Sequence, residues 1–445
     1  MTRVVRVPVL AVLLFQASLA AVAGDFQQAF EGAQRADPTY RAARQELLSN
    51  EQGVPMARAA LLPNAALSIS DARVTGSRTA DNFFGQPVTT PLAYRAPQQN
   101  LSVRLPLFNR EASQKYGLAQ VQLQYATAQF AVRGYELLER LAQAYLQRQY
   151  AEQGVDTASV QLAAAQEQRR LALRRMELGE GTRPELAQAD ADLALARTQL
   201  LEARNQSNAA ALSVAQISGL PAAPAGALPP RYTARPLQPD QLAAWQDKAS
   251  ADSPTLAARR LALEAARLGV SRAGAGHYPR LDAVASVSRS RNESVSTLNQ
   301  AVRQRSLGLQ FNLPLYAGGF VDASVTQALA EQEKAQAELE AEQLDVIADV
   351  NRLFLSVGSG IDRVEALQQA LVAGELALDA ARMSVTRGMG TQADVLRAQS
   401  RLADTRRELA KAHYDQILAR LRLHARAGAP ADEIARVIDS LLGAQ

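Results

Sequence analysis

Few residues in this chain could carry bond chemistry. Three histidines, His277, His413 and His424, are spread through 445 residues, and cysteine is absent. Nothing around them takes the spacing of a metal-ligand set. His413 and His424 stand eleven residues apart in a helical pattern, which suits a solvated or interhelical face. The stretch RAGAGHYP holds a bare G-x-G, weak as a phosphate loop and better suited to ending a helix before Pro279. No nucleophile, base and orienting group converge, so the expectation is a protein that is not an enzyme and uses no cofactor. What remains is electrostatic: Glu185 and Asp394, each three residues past a glycine-flanked threonine, with Arg183, Arg387 and Arg397 beside them. Carboxylates brought together repel, and they favour bound cations or arginine partners. Ordinary solvated charges on a helical surface would use the same residues.

These carboxylates sit in LGEGTRPELAQAD (Leu178–Asp190) and RGMGTQADVLRAQ (Arg387–Gln399), where Thr182 and Thr391 lie 209 residues apart. Gly179, Gly181, Gly388 and Gly390 permit a tight reversal between antiparallel helices, because glycine takes positive φ without steric cost. Three more landmarks repeat in the same order. ADPTYRAAR answers SPTLAARR, pairing Pro38 with Pro254; LLPNAALSIS answers HYPRLDAVASVS, pairing Pro63 with Pro279; VRLPLFNR answers FNLPLYAG, pairing Pro106 with Pro314. The offset drops from 216 to 208 between the last two pairs, so the first copy carries a loop eight residues longer. Such order at near-constant spacing is an internal duplication.

The N-terminus reads as a secretory signal peptide over residues 1–23: Arg3 and Arg6, an apolar run from Val7 to Leu14, and Ala21-Val22-Ala23 before the cut. The chain then divides into a first repeat (24–218), a Pro-rich linker (219–240), a second repeat (241–429) and a C-terminal helical tail (430–445). Net charge is +4, about +2 once the two leader arginines are removed. With no dense basic cluster interleaved with aromatics, nucleic acid is not an expected partner. The lack of cysteine leaves packing without disulfides and removes the acceptor for N-terminal lipidation.

Each copy has the same grammar. A helix of about 35 residues (Asp25 to Leu61, then Gln241 to Ala275) precedes two alternating runs, a very long helix, the glycine turn and another helix. The helix from Glu111 to Leu178 would extend roughly 100 Å if straight. In NLSVRLPL the apolar residues are Leu101, Val103, Leu105 and Leu107; in SLGLQFNLPL they are Leu307, Leu309, Phe311, Leu313 and Leu315. Period two is a strand with one apolar and one polar face. Edge strands on a helical core would read this way, and so would a membrane β-barrel. Four strands cannot close a barrel, so in lipid several chains would have to pool them.

In this order the landmarks resemble the TolC family of outer-membrane channel proteins over nearly the whole chain after the leader. The resemblance implies an α+β membrane protein: a homotrimer whose four strands per chain make a 12-stranded β-barrel, continued by a long periplasmic α-helical barrel. With no lipidation site, the branch it implies is type I secretion, and the channels that export RTX-type toxins are among the patterns it resembles. That implies an inner-membrane ABC transporter, a periplasmic adaptor and an exported protein substrate as partners; drug efflux is the alternative. The glycine turns would lie at the far end of the helical barrel, with Gly179, Gly181, Thr182, Gly388, Gly390 and Thr391 docking the adaptor. Glu185 and Asp394 would place six carboxylates near the mouth, with Arg183, Arg387 and Arg397 available to hold it shut. Arg397 departs from the family pattern, which expects an inner aspartate there, and a ring of arginines would weaken cation preference. Phe108 and Tyr316, where strand meets long helix, would form an aromatic belt at the bilayer surface, with core packing the alternative. The loops Thr75 to Pro97 and Asn292 to Val302 would face outside. A periplasmic adaptor and a soluble secreted coiled-coil protein are the rival readings.

Overall fold

Asp37-Pro38-Thr39 and Ser253-Pro254-Thr255 explain the first departure from the sequence reading. In the computed structural model, which describes residues 25–220, 236–294 and 297–442, the opening helix is three helices: α1 (Asp25–Ala36), α2 (Pro38–Glu51) and α3 (Gly53–Ala59). Asp37 ends α1 through its N–H to the Ala33 carbonyl (2.9 Å) and starts α2 by accepting at Oδ1 from the Tyr40 N–H (2.8 Å). Pro38 follows at the first helical position, where a missing N–H costs nothing. The second copy breaks likewise between α6 (Leu242–Asp252) and α7 (Pro254–Gly274), with Ser253 Oγ 3.0 Å from Thr255 Oγ1. The expected uninterrupted helices are therefore replaced by three helices in the first copy and two in the second. The leader and most of the Pro-rich linker lie outside the described residues.

The long helices form as expected: α4 (Arg110–Glu177) and α8 (Phe320–Thr386). Each passes through its glycine turn into a partner, α5 (Arg183–Ser218) or α9 (Gln392–Arg426), and α10 (Ala431–Leu442) closes the chain. Along α8 the buried or half-buried residues Val350, Val357, Val364, Leu371, Leu378 and Val385 recur every seventh position. Val395, Leu402, Leu409 and Leu423 keep the same period on α9, with Gln416 the polar interruption. A strict seven-residue repeat is the pattern of a supercoiled helix seam. Gln416 packs across Gly360, where an added Cβ would fall 3.3 Å from Gln416 Cγ. Among the described residues no helix is long and apolar enough to cross a membrane.

The four strands are β1 (Asn64–Asp81), β2 (Pro87–Asn109), β3 (Arg280–Ser294) and β4 (Thr297–Asn312), an antiparallel sheet in the order 1-2-3-4. They are longer than the alternating runs. Thr75 to Pro97, expected as a loop, is paired strand on both sides of a short turn at residues 82–86, where Asn82 Oδ1 accepts from the N–H groups of Phe84 and Gln86. Asn292 to Val302, also expected as a loop, is mostly the paired ends of β3 and β4. Antiparallel pairing satisfies the backbone whatever the side chains are, so a polar stretch extends a strand that hydropathy alone would end. Conversely Leu313 and Leu315 fall outside β4, which stops at Asn312.

The chain makes two compact units. One, Glu46–Thr127 with Ala258–Glu340, holds the sheet, α3, most of α7 and the first parts of α4 and α8. The other holds the rest of the described chain and the main core. There Phe26 and Phe30 of α1 pack with Leu137, Leu141, Ile417 and Ile434, and the Phe26 and Tyr145 rings meet edge to face at 5.4 Å. Asp439 of α10 caps α1, its carboxylate accepting from the Phe26 and Gln27 N–H groups at 3.0 Å each. In this unit Arg140 reaches Asp37 at 3.2 Å. Burial pushes the Asp37 carboxyl up, but hydrogen bonds from Thr39 and Tyr40 and the Arg140 guanidinium outweigh it and hold it below the usual range.

Candidate functional site

The two helix turns share one backbone design. Gly179 and Gly388 take φ of 76° and 74°, the left-handed region that closes a helix. Past them, the N–H groups of Glu180 and Gly181 both donate to the Arg175 carbonyl (2.9 and 3.0 Å), and those of Met389 and Gly390 donate to the Ser384 carbonyl (3.0 and 3.2 Å). The second glycine of each turn is needed for closeness. A Cβ on Gly181 would lie 3.0 Å from the Met176 nitrogen, and one on Gly390 would lie 2.8 Å from Ser384 Oγ.

Thr182 then caps α5. Its Oγ1 accepts from the Glu185 N–H (3.4 Å), while Glu185 Oε2 accepts from the Thr182 N–H (3.1 Å), a reciprocal box. At Thr391 the carboxylate does most of the bonding: Asp394 Oδ2 accepts from the Thr391 N–H (3.0 Å) and from its hydroxyl (2.6 Å). Arg397 adds an ion pair to Asp394 Oδ1 at 2.7 Å. Hydrogen bonds from Thr391, and then the Arg397 guanidinium, hold the Asp394 carboxyl below the ordinary carboxylate range. Glu185 and Asp394 are thus brought to their own threonines. Among the described residues neither Arg183 nor Arg387 forms an ion pair, so only Arg397 meets a carboxylate.

Both tips also present an apolar side chain that the sequence reading passed over. Leu178 and Met389 are exposed, 65% and 73%. Leu178 matches Arg387 and Glu180 matches Met389 in the repeat, so each tip carries one apolar and one charged side chain, in opposite order. The tetrapeptides LGEG and RGMG already contained that signal.

The second candidate surface is the sheet. Residues directly opposite share a face, and the register puts Leu101 with Leu67 and Val287, Val103 with Ala285 and Leu307, Leu105 with Ala283 and Leu309, and Phe108 with Leu281 and Phe311. The other face carries Ser102, Ser286 and Ser306 in one row and Asn100, Ser288 and Gln304 in the next. Leu307, Leu309 and Phe311 are 86%, 70% and 64% exposed, so nothing among the described residues covers this part of the apolar face. Among the described residues β1 and β4 are unpaired edges. Phe108 lies in β2 and is half exposed, whereas Tyr316 lies past the end of β4 and is almost fully exposed; both stand at the helix-proximal end of the sheet.

An extended sheet, one apolar face bare to its surroundings and the other polar, joined to paired helices that end in matched turns, defines an outer-membrane channel of the strand-and-helix type. The pattern of the family described as "Outer membrane efflux protein" matches residues 30–220 and 245–429, and the chain belongs to that family. It is similar to the alkaline protease secretion protein AprF of Pseudomonas aeruginosa, 31% identical over 88% of this chain and 82% of that protein. It is similar also to the proteases secretion protein PrtF of Dickeya chrysanthemi, 31% identical over 90% of this chain and 87% of that protein. Its fold is that of the Campylobacter jejuni CmeC outer membrane channel: TM-score 0.78 at 13% identity, covering 94% of this chain and 90% of that one. The protein resides in the cell outer membrane and extends into the periplasm.

Proposed function

We propose that the chain is the outer-membrane channel of a type I secretion system, a passive exit path for a large protein substrate. An inner-membrane ABC transporter and a periplasmic adaptor would deliver that substrate. The observation that carries the channel reading is the sheet, apolar on one face with both edges unpaired. Open edges in lipid leave backbone groups without partners, so the sheet needs neighbours. Three copies give twelve strands and a closed barrel within the size range of such proteins. The Ser- and Asn-rich face, which also carries Arg104 and Asp282, then lines the lumen, a polar wall suited to an extended polypeptide.

The secretion branch rests on AprF and PrtF, whose names give proteases as the exported material. A secreted protease is accordingly the cargo class to test first, ahead of a toxin. The family description, which speaks of efflux, supports small-molecule export as the second reading. Deleting the chain from its cell separates the two. Loss of one or more large proteins from the medium, with drug susceptibility unchanged, is expected; the reverse outcome would transfer the assignment to efflux.

At the tips, Gly179, Gly181, Thr182, Gly388, Gly390 and Thr391 form the adaptor-docking surface, joined by Leu178 and Met389, whose exposed side chains supply the apolar contact. Glu185 and Asp394 act first as caps; in a trimer they would also place a ring of carboxylates near the mouth, with Arg397 neutralising Asp394 and Arg183 and Arg387 left to reach neighbouring copies.

A further inference from the structure

We propose that the β3–β4 hairpin holds a binding site for the phosphate groups of an anionic lipid headgroup in the outer leaflet, made by Arg289, Arg291, Arg303 and Arg305. Arg289 stands directly opposite Arg303, and Arg291 and Arg305 lie two residues away along the two strands, so all four share the apolar face. Like charges directly opposite one another destabilise a sheet. Among the described residues no acidic side chain relieves this pair. All four guanidinium groups are exposed, and among the described residues none forms an ion pair. The hairpin's two acids are Asp282, on the other face, and Glu293, at the register irregularity between Asn292 and Ser294. The β1–β2 hairpin at the same level differs: its row continues as Gln99 and Ile69, and the opposed arginines farther out, Arg73 and Arg95, have Asp71 beside them, ion-paired to Arg95. Among the described residues, the opposed arginines without an acidic partner are therefore those of the β3–β4 hairpin.

Position supplies the ligand. The apolar rows from Leu281 and Phe311 through Ala283 and Leu309 to Ala285 and Leu307 end at Val287 and Arg305, and the arginines follow at once. From Leu281 to Arg289 the strand rises about 27 Å, or about 20 Å along the membrane normal at the usual strand tilt, which spans most of the apolar band. The helices leave the opposite end of the sheet toward the periplasm, so the arginines stand at headgroup depth in the outer leaflet. There an arginine on the lipid-facing side is cheap, and its planar fork matches a phosphate through two parallel hydrogen bonds. A lipid phosphate between Arg289 and Arg303 would turn their repulsion into two attractions.

This proposal rests on the outer-membrane reading, and its test separates the two. The full-length assembly is reconstituted into bilayers containing bisphosphorylated lipid A, dephosphorylated lipid A or neither, and insertion is scored by flotation with the vesicles. Lipid retained after extraction is counted by native mass spectrometry. Retention of the bisphosphorylated form should exceed that of the dephosphorylated form by on the order of tenfold or more. R289Q/R303Q should abolish the difference, and R289K/R303K should keep only part of it, because lysine loses the fork. In phosphate-free detergent, R289Q/R303Q should melt higher than the parent, since it removes a like-charge contact; this also shows that the variant folds. Equal retention of the two lipids in inserted protein, or an unchanged ratio in R289Q/R303Q, overturns the proposal alone. Full competition by millimolar inorganic phosphate overturns the lipid as ligand in favour of a soluble anion. Failure to float with the vesicles overturns the membrane reading and this proposal together.

Discussion

Thr182 and Glu185 show how little side chain is needed to fix a helical turn. Removing the Thr182 hydroxyl in T182A deletes one half of the capping box, with an expected cost of about 1 kcal/mol, local to the start of α5. Amide exchange at Glu185 should quicken while exchange in the main core stays unchanged. At the matching turn, D394N keeps the shape but weakens the acceptor on which Thr391 and Arg397 converge. Because the Asp394 carboxyl is held below its ordinary value of 3.8, its contribution is complete above that value and is lost only as pH falls through the lowered one. Fraying at this tip should thus be insensitive to pH near neutrality in the parent, and D394N should fray at every pH; fraying of the parent that sets in between about pH 6 and pH 4 would contradict the cap. The glycines differ from each other in kind. G179A puts a Cβ at φ 76°, for about 1–2 kcal/mol of backbone strain but no collision, whereas G181A collides with the turn it closes. If the tips receive an adaptor, G179A should weaken secretion less than L178D, which leaves the backbone alone and spoils the exposed contact.

At the scale of the elements, α9 carries a titration that exchange at the tips would not report. Burial pushes the His413 imidazole down to about 4. Burial, then the Arg420 and Lys248 charges, push His424, set edge-on to Trp245 at 5.1 Å, down to about 4 as well. Both rings are neutral in the fold but protonate near 6.5 once unfolded. Between those values the unfolded chain binds more protons, so stability falls as pH drops from about 6.5 toward 4. Denaturation midpoints measured from pH 7.5 to 4.5 should show that slope, and H424Q should flatten part of it. A midpoint that holds level to pH 4.5 would mean the rings are already solvated in the fold. The same elements show what the sequence could and could not disclose. The seven-residue period of α8, the alternation in β2 and β4, and the four repeated landmarks are patterns of side chains, and side-chain patterns are what a sequence displays. The break at Asp37 and the strand at Thr75–Pro97 are decided by backbone hydrogen bonds. The Pro-Thr shared by the two copies reads as part of one helix because the cap before Pro38, Asp37 Oδ1 to the Tyr40 N–H, is visible only in geometry. At the tips the residues were legible, but the partners of Glu185 and Asp394 were not, since a carboxylate three residues past a threonine reads equally as a cap or as a free charge.

For the whole molecule, the two faces of the sheet make opposite predictions for neighbouring residues on one strand, and the channel reading depends on both. Leu309, 70% exposed, lies midway along the apolar rows opposite Ala283; Ser306 lies on the other face opposite Ser286, their hydroxyls 2.7 Å apart. If lipid covers the first face, L309R places a charge in hydrocarbon at about 2–4 kcal/mol per chain, summed over every copy in the barrel. Assembly in the outer membrane should then fall sharply, read as loss of the heat-modifiable trimer band. S306R points into a water-filled lumen, so the trimer should persist, while the added ring of cations shifts single-channel selectivity toward anions. A soluble coiled-coil protein with a decorative sheet predicts otherwise, because in water neither arginine has anything to avoid and both variants behave as the parent. A barrel with its faces reversed would lose the trimer with S306R and keep it with L309R. The pair therefore tests membrane insertion and orientation in one experiment, and the face whose substitution destroys assembly is the one that meets lipid.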